Sequence, residues 1–309
     1  MISRRNIRVK VMQTLYTMDS LENMTKPGEP QKILQNHFNQ TRGLLVYLTW
    51  FLIQVARQVE KEAHKRASKH LPSVEDLNVN IKIAGNELLW KMMEDPELVD
   101  QFAKEKPEHK SDPDLIRRIY LELVTRPEYQ SYILSNSREK QEEKKILEFI
   151  FNDLMLANET FVSHLEENFT NWNDDGEMIV QLLAGYLGKP HSFKFNEMLS
   201  ADKALFARQL LQTVLDKDAH LHEIIIPKLK NWDPERIALL DMILMKMGVA
   251  EFLYFETIPP KVTINEYIDL AKEYSTEQSG QFINGILDNI HKEMVRDGKM
   301  EKTEYRKNG

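Results

Sequence analysis

The chain has 309 residues, 42% of them hydrophobic and 29% charged, a net charge of −7 and no cysteine. Those numbers allow one large domain or two smaller ones, and they exclude disulfide staples, thiolate metal sites and cysteine nucleophiles. Glycine is scarce, at 11, and no alternating run rich in valine or isoleucine stands out, so an all-α fold is expected and sheet-based folds are disfavoured. Met1 to Lys10 is polar and basic, with no apolar stretch resembling a signal peptide. The most apolar run, Leu44 to Ile53, is about half of the ~20 residues that a membrane span needs, and Thr49 interrupts it. It reads as a buried helix, and a cytoplasmic location without a membrane partner is expected.

The first element is an amphipathic helix. Ile7, Val11, Leu15 and Met18 recur at four, four and three residues, which puts them on one face. Ser3 is its expected N-cap. Arg4, Arg5, Arg8 and Lys10 all precede the first acidic residue, Asp19, although cations are disfavoured at a helix N-terminus. A local rule broken without local gain points to a functional site. Pro27, Gly28 and Pro30 close the segment.

From Gln31 to Pro190 helix follows helix. Leu44, Leu48, Phe51, Leu52, Val55 and Val59 form one apolar stripe, which leads into the polar stretch Lys61 to His70 and a break at Pro72. Pro96, Pro107, Pro113 and Pro127 punctuate shorter pieces, and Asp112-Pro113 has the cap-then-proline form of a helix start. A long amphipathic helix is expected to run through Ile146, Phe149, Ile150, Leu154, Ala157, Phe161, Leu165 and Phe169. After it come a turn over Asn171 to Gly176 and a short helix over Glu177 to Leu187.

In the last third, Ser200 precedes one helix, and Asp233-Pro234-Glu235 starts another that is expected to bury Ile237, Leu240, Leu244 and Met247. Pro259-Pro260 is a rigid connector. Thr263 with Glu266, and Ser275 with Gln278, match capping boxes. The final helix carries Phe282, Ile283, Ile286, Leu287 and Ile290, with Gly285 in its middle. A glycine there costs about 1 kcal/mol against alanine, so close packing is expected at that point.

No catalytic motif survives inspection. The glycines form neither GxGxxG nor a phosphate loop, HExxH is missing, and nothing selects one carboxylate pair as an acid/base couple. The chain is therefore expected to be no enzyme and to hold no cofactor or metal. On one helix face Arg5 and Arg8 could grip adjacent phosphates. Tyr16, about three turns further on, could stack on an unpaired base or equally serve as a core aromatic.

Three segments move the argument further: Pro260-Lys-Val-Thr-Ile-Asn-Glu266, Ile268-Asp-Leu-Ala-Lys272 and Phe282-Ile-Asn-Gly-Ile-Leu-Asp288. With Asp202, Phe206 and Arg208 upstream, and with Ser3-Arg-Arg-Asn-Ile-Arg8 and Gln13-Thr-Leu-Tyr16 at the start, they resemble the NusB family over roughly residues 1–22 and 197–295. The resemblance implies an all-α, NusB-like helical bundle in two halves, enlarged by an inserted helical region. The expected divisions are a basic helix over 1–24, the insertion with the remainder of the N-terminal half over 25–195, a helical C-terminal domain over 196–296, and a flexible tail over 297–309.

It further implies transcription antitermination: binding of single-stranded, boxA-like RNA together with the ribosomal protein NusE, and read-through by RNA polymerase, notably in ribosomal RNA operons. By position, Arg4, Arg5 and Arg8, with Lys10 beside them, would contact phosphates. Tyr16 and Phe282 would offer stacking faces, with Gln278 close to the RNA. Asp241 and Glu251 would face basic groups on NusE. Asn6 stands where the family commonly has arginine, and the span between the two matching regions is far longer than usual. The alternative is a helical protein–protein scaffold whose NusB-like part no longer binds RNA.

Overall fold

The computed structural model describes residues 1–20, 26–190, 193–229 and 237–299. The expected helix start at Asp233-Pro234-Glu235 and the tail from 300 onward lie outside them. Every regular element among the described residues is helical, so the fold is all-α. The chain forms two compact units: residues 39–198 with Met1, and residues 2–38 with 199–309. We call them unit 1 and unit 2.

In chain order, α1 (Arg4–Ser20) belongs to unit 2, and α2 (Glu29–Ala67) passes from unit 2 into unit 1. Unit 1 continues with α3 (Val74–Leu77), α4 (Glu87–Met93), α5 (Pro96–Glu105), α6 (Pro113–Leu123), α7 (Pro127–Leu134), α8 (Lys140–Phe149), α9 (Glu159–Asn168) and α10 (Trp172–Gly188). Unit 2 is completed by α11 (Ala201–Asp216), α12 (Asp218–Ile225), α13 (Leu239–Tyr254), α14 (Pro260–Tyr274) and α15 (Glu277–Arg296).

Unit 1 is organised by the apolar stripe of α2. Leu44, Leu48, Phe51, Leu52, Val55 and Val59 are all fully buried, as their spacing predicts. Phe51 meets Phe161 of α9 with ring centroids 4.6 Å apart, and Thr41 donates to Asp175 of α10 at 2.7 Å. Proline begins α5, α6 and α7, where its missing N–H costs nothing. Asp112 caps α6 by accepting from the amides of Asp114 and Leu115, a contribution of about 1 kcal/mol. Two expectations are corrected here. The long helix over 146–169 is interrupted: Ile150 to Met155 winds as a π-helix, and Asn158 then starts α9 anew by accepting from the Phe161 amide. The turn expected at Asn171 to Gly176 is instead the start of α10, whose N-cap position is Asn171.

In unit 2, α13 is the hub, packed against α1, α11, α12, α14 and α15. Surrounded in this way, it buries residues on every side, from Ile243 and Leu244 to Met247, Val249, Ala250 and Phe252. Its start is less covered than the spacing predicts, for Leu240 in its first turn and Ile237 just before it are only half-buried. Close packing falls at Gly248 rather than Gly285. A Cβ on Gly248 would sit 3.0 Å from both terminal carbons of Leu287, whereas Gly285 has open space beside it.

Candidate nucleic-acid interface

Ser3 starts α1 as expected, its hydroxyl accepting from the Asn6 amide at 3.1 Å. From there α1 departs from a simple amphipathic helix. Residues from Ile7 to Met12 are all buried, Arg8 and Lys10 included at 2% exposure, because α1 packs against both α11 and α13. The exposed side chains are Arg4 at one end and Tyr16, 48% exposed, with Asp19 and Ser20 near the other.

The pairings of α1 with α14 set their relative direction. Arg5 reaches Glu273 at 2.7 Å and Asp269 at 3.9 Å, while Arg8 reaches Glu266 at 3.1 Å. Ascending numbers on α1 meet descending numbers on α14, so the two helices run antiparallel. The start of α1 therefore lies beside the end of α14, and α15 begins three residues after that end. Gln278, exposed in the first turn of α15, and the half-buried Phe282 one turn later share that end of the unit with Arg5.

Arg8 forms the centre of a buried polar cluster. Its Nε donates to Glu251 Oε1 at 2.7 Å, and one terminal nitrogen donates to Oε2 at 3.1 Å. The same carboxylate accepts from the Thr263 hydroxyl and from the Tyr267 hydroxyl, each at 2.9 Å. Phe206 of α11 lies 5.6 Å from the guanidinium and Tyr267 5.8 Å. Burial pulls the Arg8 guanidinium down, but the hydrogen bond and charge of Glu251 outweigh it and hold the group above its ordinary value. Burial and the Glu251 charge push the Tyr267 hydroxyl well up, so it remains a donor.

Four expected site residues are thus redirected. Arg8 and Lys10, expected at phosphates, are interior. Glu251, expected at a basic partner, is fully buried and paired with Arg8. Asp241 is 6% exposed and accepts from the Ser279 hydroxyl at 2.9 Å, which ties α13 to α15. The enclosed position of α13 explains the first pairing: Arg8 and Glu251 are buried together as an ion pair, the form in which such charges are tolerated in the interior. Thr263 and Glu266 form no capping box, since α14 has already begun at Pro260 and both side chains turn to the Arg8–Glu251 cluster. The cap of α15 is Thr276, one residue after the expected Ser275. What stays at the surface is Arg4, Arg5, Tyr16 and Gln278, with Phe282 partly covered. Arg4 is exposed and lies over the Phe206 ring at 5.6 Å.

Comparison with known proteins bears on the C-terminal part of the chain. The NusB family profile matches residues 163–292. Proteins described as transcription antitermination protein NusB are similar over the same part: 42% identity over 94 residues in Chloroherpeton thalassium, 41% over 98 in Salinibacter ruber and 40% over 102 in Methylacidiphilum infernorum. These alignments take in 30%, 32% and 33% of this chain. They span 43% and 61% of the first two relatives, less than two thirds of each, and 71% of the third.

Proposed function

The chain belongs to the NusB family, and from that premise we propose that it is a cytoplasmic transcription antitermination factor working by binding rather than catalysis. Unit 2 takes a single-stranded, boxA-like RNA together with the ribosomal protein NusE, within an RNA polymerase complex that reads through terminators, notably in ribosomal RNA operons. The observation that carries this reading is the composition of the surface left on unit 2 after its core is accounted for. Two arginines at the start of α1, Arg4 and Arg5, supply cations for phosphates, and Tyr16 supplies an exposed ring on which an unpaired base can stack. Gln278 and Phe282 extend this surface along α15.

No helix among the described residues is long and apolar enough to cross a membrane. The test is fluorescence anisotropy with a short boxA-like RNA, with and without NusE, at two salt concentrations. Binding is expected to tighten with NusE. Changing Arg4 and Arg5 together to alanine should lower the salt slope by about 1.4, since each phosphate contact to a single strand contributes about 0.7. Tyr16→Ala should weaken binding about tenfold at every salt concentration, as the loss of one stacked base does. Absence of RNA binding even with NusE present would overturn the proposal.

A further inference from the structure

Unit 1 carries a surface that RNA binding by unit 2 does not use. Between Lys61 and His70 the one acidic side chain, Glu62, turns inward onto Arg117 at 2.6 Å. Lys61, Lys65, Lys69 and His70 face solvent. Immediately afterwards the chain exposes Leu71 (85%), Val74 (76%), Leu77 (60%) and Ile81 (53%), and Leu134 at the end of α7 is exposed by 78%. Single exposed leucines are ordinary, whereas a contiguous apolar strip marks a docking surface.

The strip is held in place. Ser73 and Asp76 cap α3 reciprocally, and Lys69 reaches Asp76 at 2.8 Å. Asn80 donates to the Ile133 carbonyl at 2.9 Å, and the Lys82 ammonium donates to the carbonyls of Tyr132 and Ser135 at 2.6 Å each. These bonds bring the Ile81 segment to the end of α7 where Leu134 stands. Tyr132 of α7 and Ser135 just after it line a groove of about 290 Å³ with Ile146 and Phe149 of α8. One margin of the strip is thus a basic helix end, and the other is an apolar groove.

We infer that this strip docks an acidic amphipathic helix of another protein. Its apolar face would lie along Leu71 to Leu134 and enter the α7–α8 groove, and its carboxylates would meet Lys61, Lys65 and His70. Charge complementarity favours this occupant. Unit 1 as a whole has 20 lysines and arginines against 27 aspartates and glutamates, so the run from Lys61 to His70, whose one carboxylate is turned inward, is a local basic exception on an acidic body, with Glu75 the exposed acid of the neighbouring α3. Nucleic acid fits less well, because the five exposed side chains are aliphatic and give a base nothing to stack on. An anionic membrane fits less well too, because the groove is lined by two acids, Glu128 and Glu142, against one base, Lys145, and this net negative charge would repel its headgroups. Those two glutamates also set the direction of the helix, with its acidic end over His70.

The experiment uses the full chain and two designed peptides of about five helical turns. Both carry the same leucine face; one has Asp and Glu at its N-terminal half, and the other has Lys at those positions. By anisotropy, the acidic peptide is expected to bind at least about tenfold more tightly than the basic one. Leu77→Ser with Leu134→Ser should weaken it about tenfold, and Lys61→Glu with Lys65→Glu should abolish the preference. All four positions are exposed or partly exposed, so thermal melts should be unchanged, and RNA binding measured on the same variants should be unaffected. The inference is overturned if the acidic peptide fails to bind, if the two peptides bind alike, or if the variants change nothing. It is equally overturned if the strip instead takes up phosphatidylserine vesicles or an oligonucleotide, or if sedimentation shows a dimer that Leu134→Ser dissociates.

Discussion

Replacing Arg8 with methionine separates the two roles open to an arginine at the start of α1. In the structure its guanidinium is 2% exposed and bound to a carboxylate that is fully buried. Methionine matches the aliphatic stem but leaves Glu251 charged, in the interior, with the Thr263 and Tyr267 hydroxyls still bound to it. Removing one partner of a buried ion pair costs about 3–5 kcal/mol, most of it from the stranded charge. With a urea m-value of about 2 kcal/mol/M, the midpoint should fall by roughly 1.5–2.5 M. The double variant Arg8→Met/Glu251→Gln removes both charges and should recover about 2 kcal/mol relative to the sum of the single changes, as coupled neighbours do. The assay is urea unfolding followed by circular dichroism, with hydrogen exchange on α13 peptides to confirm that unit 2 is the part destabilised. If Arg8→Met costs less than about 1 kcal/mol yet abolishes RNA binding, the buried-pair reasoning is wrong and Arg8 is a phosphate contact after all.

Gly248→Ala should destabilise by about 1–3 kcal/mol despite the better helix propensity of alanine, because its Cβ meets Leu287 at 3.0 Å. Gly285→Ala, with open space beside it, should stabilise by up to about 1 kcal/mol in the same melts. In unit 1, burial holds the His164 imidazole below its ordinary value of 6.5, against the pull of Asp112 and Glu167. A histidine depressed in the folded chain takes its proton first in the unfolded one, so its contribution is intact above pH 6.5 and is lost as pH falls through the folded value; His164→Gln should flatten that part of a stability–pH curve. Glu273→Gln removes the nearer carboxylate on Arg5 and should tighten RNA binding severalfold at low salt, with the two proteins converging at high salt; weaker binding would show that Glu273 itself contacts the partner.

Features that depend on chain-local chemistry were legible in the sequence. The apolar stripe of α2 is buried along its length, the prolines at 96, 113 and 127 each begin a helix, and Asp112 and Ser3 are caps. Motif spacing was enough to reveal the family. The misreadings share a cause, which is that tertiary partners reassign side chains. Thr263 and Glu266 have capping-box spacing, but a capping box needs a helix that starts beside it, and Pro260 starts α14 three residues earlier. Arg8 sits next to two exposable arginines, and nothing in its neighbourhood signals that Glu251, 243 residues away, will enclose it. Likewise a glycine in mid-helix signals close approach only on average. Gly248 has it and Gly285 does not, because only the former faces the centre of the bundle.

The distribution of charge resolves an apparent conflict between an acidic chain and an RNA-binding role. The excess of negative charge, −7 overall, falls within unit 1, with its 20 cationic and 27 acidic side chains; the rest of the chain has 21 of each. Unit 2 is therefore neutral as a body, and within it Glu251 is spent on Arg8 in the interior, while Glu266 is turned to the same guanidinium. Phosphate attraction depends on the local surface within roughly one Debye length, about 8 Å at physiological salt, not on the sum over the chain. At that range Arg4 and Arg5 matter, and the carboxylates that oppose Arg5 are Asp269 and Glu273, in exposed pairs of a kind worth on the order of 1 kcal/mol or less. Such a pair keeps Arg5 ordered without binding it tightly, so an incoming phosphate can take it over at little cost.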